Sequence, residues 1–178
     1  MASDDDKDLQ ELNEQFRRGM RFGEETSKEV PPEELEARRR RELNEKEVKV
    51  VGVYQAPHNG AFVLLRDARG RNLPIWIDEG QAISISFAIS DNGAPARPMT
   101  HDLMKLLVER LGGGVEYILV DDLYNNVYYA KIALKHKDKQ QEIDCRPSDA
   151  IAVGVRFKVP IYVADHVLEE GQLPTTEE

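Results

Sequence analysis

Two short stretches carry side chains whose types and spacing suit phosphate or proton chemistry. Thr100-His101-Asp102 and Arg146-Pro147-Ser148-Asp149 each place an acidic residue where a helix should begin, beside a histidine or an arginine. Unsatisfied N–H groups in the first turn of a helix attract anions, so a phosphate can be held there. The same residues have a plain structural use. Asp102 and Asp149 would stabilise their helices through the dipole by about 0.3–1 kcal/mol each, and Ser148 would serve as a cap. Arg146, held extended by Pro147, would pair with Asp144 or Asp149 and fasten the chain at that point. Both uses stay open on the residues alone.

Other chemistry-bearing residues are weaker candidates. Asp121 and Asp122 are adjacent in a strand pattern, so they point to opposite faces and cannot easily share one ion. Gly112-Gly113-Gly114 leaves a helix rather than entering one, and so reads as a cap and not a phosphate loop. His58 sits in a turn motif, and His136 and His166 have no companions at ligand spacing. Cys145 reads as a small buried apolar residue. Arg38 to Arg41 form a dense basic run, but Glu33, Glu34, Glu36, Glu42 and Glu45 surround it at helix-pairing distances, so a self-paired solvated face is expected.

The elements that would position these residues follow from periodicity. Val48 to Tyr54 and Ala61 to Arg66 read as a hairpin across His58-Asn59-Gly60, and Leu73 to Ile77 as a third strand. Leu103, Leu106, Leu107 and Leu111 line one face of a helix starting near Thr100. Val115 to Leu123, Val127 to Lys135 and Gln141 to Cys145 repeat the three-strand pattern. Ile83, Ile85, Phe87 and Ile89 alternate like a strand, as do Ile151, Val153, Val155 and Phe157. Both segments are nevertheless expected to be helical, because Pro147-Ser148-Asp149 is a helix-start composition and each segment mixes alanine with large apolar residues. Gln81-Ala82-Ile83 and Asp149-Ala150-Ile151 lie 68 residues apart. The expected fold is therefore α+β: a duplicated β-β-β-α unit with a connecting helix, plus a helical N-terminal arm.

Bulk composition bounds the partners. The chain has 178 residues and a net charge of −9, with 10 basic and 15 acidic side chains in the first 47 residues and 14 and 18 in the rest. An acidic surface repels a polyanion at long range, so any contact with RNA or DNA needs a local basic patch or bridging cations. One cysteine excludes an internal disulfide and a cysteine-rich zinc site, which fits a reducing compartment. No apolar run is long enough to span a membrane, and Met1 to Asp8 is acidic where a signal peptide would be basic, so a cytoplasmic protein is expected. The boundaries expected are an arm over 1–46, a domain over 47–171 and a tail over 172–178. The arm is a candidate contact for a partner.

Three stretches carry a family resemblance: Leu73-Pro74-Ile75-Trp76-Ile77, Arg97-Pro98-Met99-Thr100-His101-Asp102-Leu103, and Ile143-Asp144-Cys145-Arg146-Pro147-Ser148-Asp149-Ala150-Ile151-Ala152. Their order and spacing over residues 47–171 resemble the bifunctional nuclease domain family, named for an activity on both RNA and DNA reported in plant members. Asp78-Glu79-Gly80-Gln81 is shorter than the family's usual turn, so no role is carried over to Glu79. The resemblance implies catalytic roles for His101, Asp102, Asp144 and Asp149, substrate contacts from Arg146 and Ser148, and a divalent cation (Mg or Mn) on Asp144 and Asp149. Arg146 would clamp a phosphate in its planar fork and His101 would shuttle a proton near neutral pH. The alternative function is a non-catalytic ligand-binding or regulatory module, with a homodimer whose paired halves form a pocket.

Overall fold

The computed structural model describes residues 44–56, 60–90 and 95–172, all within the unit Glu36–Glu178. The expected helical arm and the end of the expected tail lie outside the described residues, as does most of the first turn. In chain order the elements are β1 (Lys46–Ala56), β2 (Gly60–Asp67), β3 (Asn72–Ile77), α1 (Glu79–Ile89), α2 (Thr100–Arg110), β4 (Gly113–Tyr124), β5 (Val127–His136), β6 (Lys139–Cys145), α3 (Pro147–Phe157), β7 (Ile161–Val163) and α4 (Asp165–Gly171). This is an α+β fold: seven strands in the order β3-β2-β1-β7-β4-β5-β6, antiparallel except where β4 meets β7.

Turn chemistry sets the registers. Asn125 and Asn126 both take positive φ, the requirement of a two-residue hairpin turn, and so pair Tyr124 with Val127. Gly112, with φ 76°, ends α2 and leads directly into β4. On β2, Ala61, Val63, Leu65 and Asp67 are buried, while Phe62, Leu64 and Arg66 face the other side, the two-residue period of a sheet with one covered face. The helices cover that face. Helix α3 packs on β3, β4 and β5, and α4 on β3 and β4, so the sheet curls around them. Ile85, Ile118, Ile151, Val163, Val167 and Leu168 meet in the shared core. Helix α3 crosses β4 at Gly154, where a Cβ would fall 2.5 Å from Ile118 Cγ1, so only glycine allows that approach without a shift.

Both alternating apolar segments are helices, as their flanking residues predicted; α3 is buried on most sides, whereas α1 buries Gln81, Ala82, Ser84 and Ile85 and leaves Ile83, Phe87 and Ile89 exposed. Three features differ from expectation. Strand β7, only three residues long, joins the two three-stranded meanders and shows no readable period. Helix α2 starts one position earlier than a Thr100 cap implies: Met99 takes the cap position, and its N–H donates to Asp102 Oδ2 at 2.9 Å. The leucine face of α2 is not core. Leu103, Leu106, Leu107 and Leu111 are all exposed, and His101 is the buried residue of that helix.

Candidate functional site

The first turns of α1, α2 and α3 converge. Helix α1 is opened by a reciprocal cap, with Gln81 N–H donating to Asp78 Oδ1 at 2.8 Å and Asp78 N–H donating to Gln81 Oε1 at 3.1 Å. That cap aims Gln81 Nε2 at Asp149 Oδ1, 3.2 Å away in the first turn of α3. From α2, His101 Nε2 approaches the same oxygen at 3.4 Å, long for a hydrogen bond and therefore weak in this state. Arg146, the residue at the α3 cap, donates from Nε to Asp149 Oδ2 at 2.8 Å and from Nη2 to Oδ1 at 3.2 Å. Its side chain is 69% exposed, so the guanidinium forms the outer surface of the cluster.

Burial pushes the Asp149 carboxyl up, but hydrogen bonds and charge from Arg146, with His101 and Gln81, outweigh it and hold the carboxyl below the usual range. Asp149 is thus a carboxylate at neutral pH. The stability it contributes is present above the ordinary carboxylate pKa and is lost as pH falls through its lower folded value.

A second layer lies behind His101. Arg156, with a side chain only 5% exposed, donates from Nε to Asp102 Oδ1 at 2.6 Å. Its Nη2 donates to Ser84 O at 3.1 Å and Ser84 Oγ at 3.0 Å, and its Nη1 to Ala152 O at 2.9 Å. Burial raises the Asp102 carboxyl, while Arg156 and the Met99 N–H bring it below the usual range. Ser84 Oγ lies 2.9 Å from His101 Nδ1. A carboxylate oxygen can only accept, so a neutral imidazole bonded to Asp149 is protonated at Nε2, and its bare Nδ1 takes the Ser84 hydroxyl proton. Ser84 is fully enclosed, so the Ser84-His101-Asp149 line is a positioning relay and not a nucleophilic triad. Long-range ¹⁵N–¹H NMR should find His101 in the Nε2–H form, and Ser84→Ala should shift it towards a mixture. An Nδ1–H signal in the unaltered protein would contradict this proton assignment.

The structure brings together His101, Asp102, Arg146 and Asp149 of the residues singled out from sequence. Asp144 is not among them. In β6, Cys145 packs against the core opposite Ala130, so by strand alternation Asp144 projects from the other face opposite Lys131. Ser148 is buried, and among the described residues the hydrogen bonds around Asp149 run through Arg146, Gln81 and His101 rather than Ser148. Among the described residues no hydrogen bond or ion pair joins Asp144 to Asp149, and no group of three or more His, Cys, Asp or Glu is arranged to hold a metal. Burial, then Asp144, Asp149 and Asp121, push the Cys145 thiol up to about 12, so it is no thiolate nucleophile. Gln81, Ser84 and Arg156 were not singled out from sequence. The available signal was a polar residue inside an otherwise apolar helix.

A profile of the bifunctional nuclease domain matches residues 63–176, which include every member of this cluster. The chain belongs to the bifunctional nuclease domain family. An uncharacterized protein of Mycobacterium tuberculosis (strain ATCC 25618 / H37Rv) is 39% identical over 130 residues, covering 71% of this chain and 76% of that protein. "Bifunctional nuclease 2" of Arabidopsis thaliana is 35% identical over 111 residues, covering 61% of this chain and 33% of the plant protein. "Bifunctional nuclease 1" of Oryza sativa subsp. japonica is 31% identical over 111 residues with the same coverage. The match thus spans about a third of the length of these plant proteins. Among the described residues, no helix is long and apolar enough to cross a membrane.

Proposed function

We propose that this nuclease domain hydrolyses phosphodiester bonds of RNA and DNA at the junction of the three helix starts. The observation that carries the reading is the exposed Arg146 guanidinium held bidentately on Asp149, at a place where the positive ends of α1, α2 and α3 meet. A phosphate can replace Asp149 as the partner of Arg146, since the planar fork suits either group. The carboxylate so released can take a proton from an attacking water as its oxygen bonds to phosphorus, the ester P–O bond to the departing sugar oxygen breaks and that oxygen takes a proton from solvent, while His101 Nε2–H holds the other Asp149 oxygen. Arg146 then supplies positive charge as the transition state develops.

A divalent cation is part of the proposal only in the presence of substrate. The described residues offer Asp149 without Asp144, and magnesium commonly uses one or two carboxylates completed by substrate phosphates and water. Incubation of the protein with single-stranded and duplex oligonucleotides, with and without added magnesium or manganese, tests the reading. Cleavage of the single strand supports it, and absence of cleavage under every metal condition overturns it.

One observation favours the non-catalytic reading. Both Asp149 oxygens already accept hydrogen bonds and His101 is buried, an arrangement that would also serve a rigid anion-binding or regulatory module. We further infer that the two halves are copies of one β-β-β-α unit. Supporting this, α1 and α3 are both 11 residues long and begin 68 residues apart, and the matched residues Gln81 and Asp149 touch. A homodimer would cover the exposed leucine row of α2, which mixed-sign neighbours Lys105, Glu109 and Arg110 make self-complementary in charge.

A further inference from the structure

The uncovered face of the sheet carries a row of aromatic rings. Tyr54, Phe62 and Trp76 are cross-strand partners on β1, β2 and β3. Tyr54 and Phe62 lie 5.6 Å apart and nearly parallel, with an interplanar angle of 23°, and Phe62 and Trp76 lie 5.5 Å apart, tilted by 58°. Their alternates Val63 and Ile75 are in the core, so the three rings point away from it. Trp76 is 62% exposed on the edge strand, and Tyr54 is also exposed. Along the same face, Lys49 pairs with Arg66 and Arg66 with Asn72, which gives a parallel row with two exposed cations. The rows are four residues apart on β2, about 13 Å at roughly 3.3 Å per residue. Asp67, next to Arg66, is buried on the other face, while the exposed Glu47 shares the face of Lys49 at the far end of β1, beside β7.

Cross-strand ring packing explains why the rings touch. It does not explain why a tryptophan is left open to water at a sheet edge. Trp76 also lies over Gly60 of β2, which covers one part of the ring and leaves the rest open to water.

We propose that Tyr54, Phe62 and Trp76 form a stacking platform for the bases of single-stranded nucleic acid, with Lys49 and Arg66 on its phosphates. Stacking on aromatic rings needs no net positive charge and accepts any base, which is the way an acidic chain can hold a polyanion. Trp76 precedes the α1 cap residue Asp78 by two positions, so the open end of the platform and the first turn of α1 meet at one edge of the sheet, the rings on its uncovered face and the helix on the other. The inference takes its ligand class from the proposed function but does not need cleavage.

Trp76 is the chain's one tryptophan, so intrinsic fluorescence reports on this surface alone. Titrating the full chain, without added metal, with a single-stranded oligothymidylate of about 12 nucleotides should quench its emission saturably. The exposed substitution Tyr54→Ala should weaken binding about ten-fold, the scale of one lost stack. Lys49→Ala should make binding less sensitive to salt. Anisotropy of a labelled oligonucleotide with Trp76→Leu gives the same reading without relying on quenching. Absence of saturable quenching at low salt, or unchanged affinity in both Tyr54→Ala and Trp76→Leu, overturns the platform. So does a change of sedimentation in these variants with oligonucleotide affinity intact, which would assign the rings to a second copy of the chain. Binding without cleavage would keep the platform and sink the nuclease reading. Cleavage without any Trp76 response would do the reverse.

Discussion

Replacing Arg156 with alanine is expected to cost about 3 kcal/mol of folding stability, the low end for removing one partner of a buried ion pair. The side chain bonds to Asp102, Ser84 O, Ser84 Oγ and Ala152 O, and so joins α3 to both α1 and α2. Its loss would leave Ser84 enclosed with unmet hydrogen-bonding groups, while Asp102, about a third exposed, can recover part of its hydration. That recovery is why the low end applies. Arg156→Lys keeps the charge but cannot fork between Asp102 and Ser84, and should fall between wild type and alanine. Denaturant unfolding measures both. A loss below about 1 kcal/mol for alanine would mean that the pair behaves as a surface contact.

Arg146→Ala should show the opposite division of effects. The side chain is mostly exposed, and exposed pairs contribute about 0–1 kcal/mol, so melting should barely change. Cleavage should fall on the order of 100-fold or more, the scale of losing one preorganised donor to a developing charge. A kcat/KM measurement beside a melting curve reads the two effects separately. Unchanged cleavage would remove Arg146 from the phosphate site.

The parts of this protein that were legible in its sequence are those with local causes. Asn125-Asn126 demanded a tight turn, Gly112 a helix end, and Pro147-Ser148-Asp149 a helix start strong enough to override a strand-like alternation. Strand β7 was not legible. Three residues hold no period, and Ile161 to Val163 become a strand only because β1 and β4 flank them. The leucines of α2 had the right spacing for a buried face, yet spacing cannot say whether anything packs on it. At the site, His101, Arg146 and Asp149 could be selected from type and position. Gln81, Ser84 and Arg156 could not, because their importance lies in partners 68, 17 and 54 residues away. Asp144 is two residues from Arg146 in sequence, but with Cys145 packed on the core, strand alternation turns Asp144 to the opposite face, opposite Lys131.

The central claim is that Asp149 is chemically required for cleavage beyond its part in holding Arg146 in place. Asp149→Asn keeps the shape of the side chain and its ability to accept from His101 or Gln81, and should cost about 1–2 kcal/mol, the scale of weakening charged hydrogen bonds. Assayed on a single-stranded oligonucleotide at a temperature well below melting, the folded Asp149→Asn protein should have no detectable cleavage where wild type cleaves. Cleavage at the wild-type rate in that variant would contradict the account, and the three helix starts would then be a structural junction that binds anions without hydrolysing them.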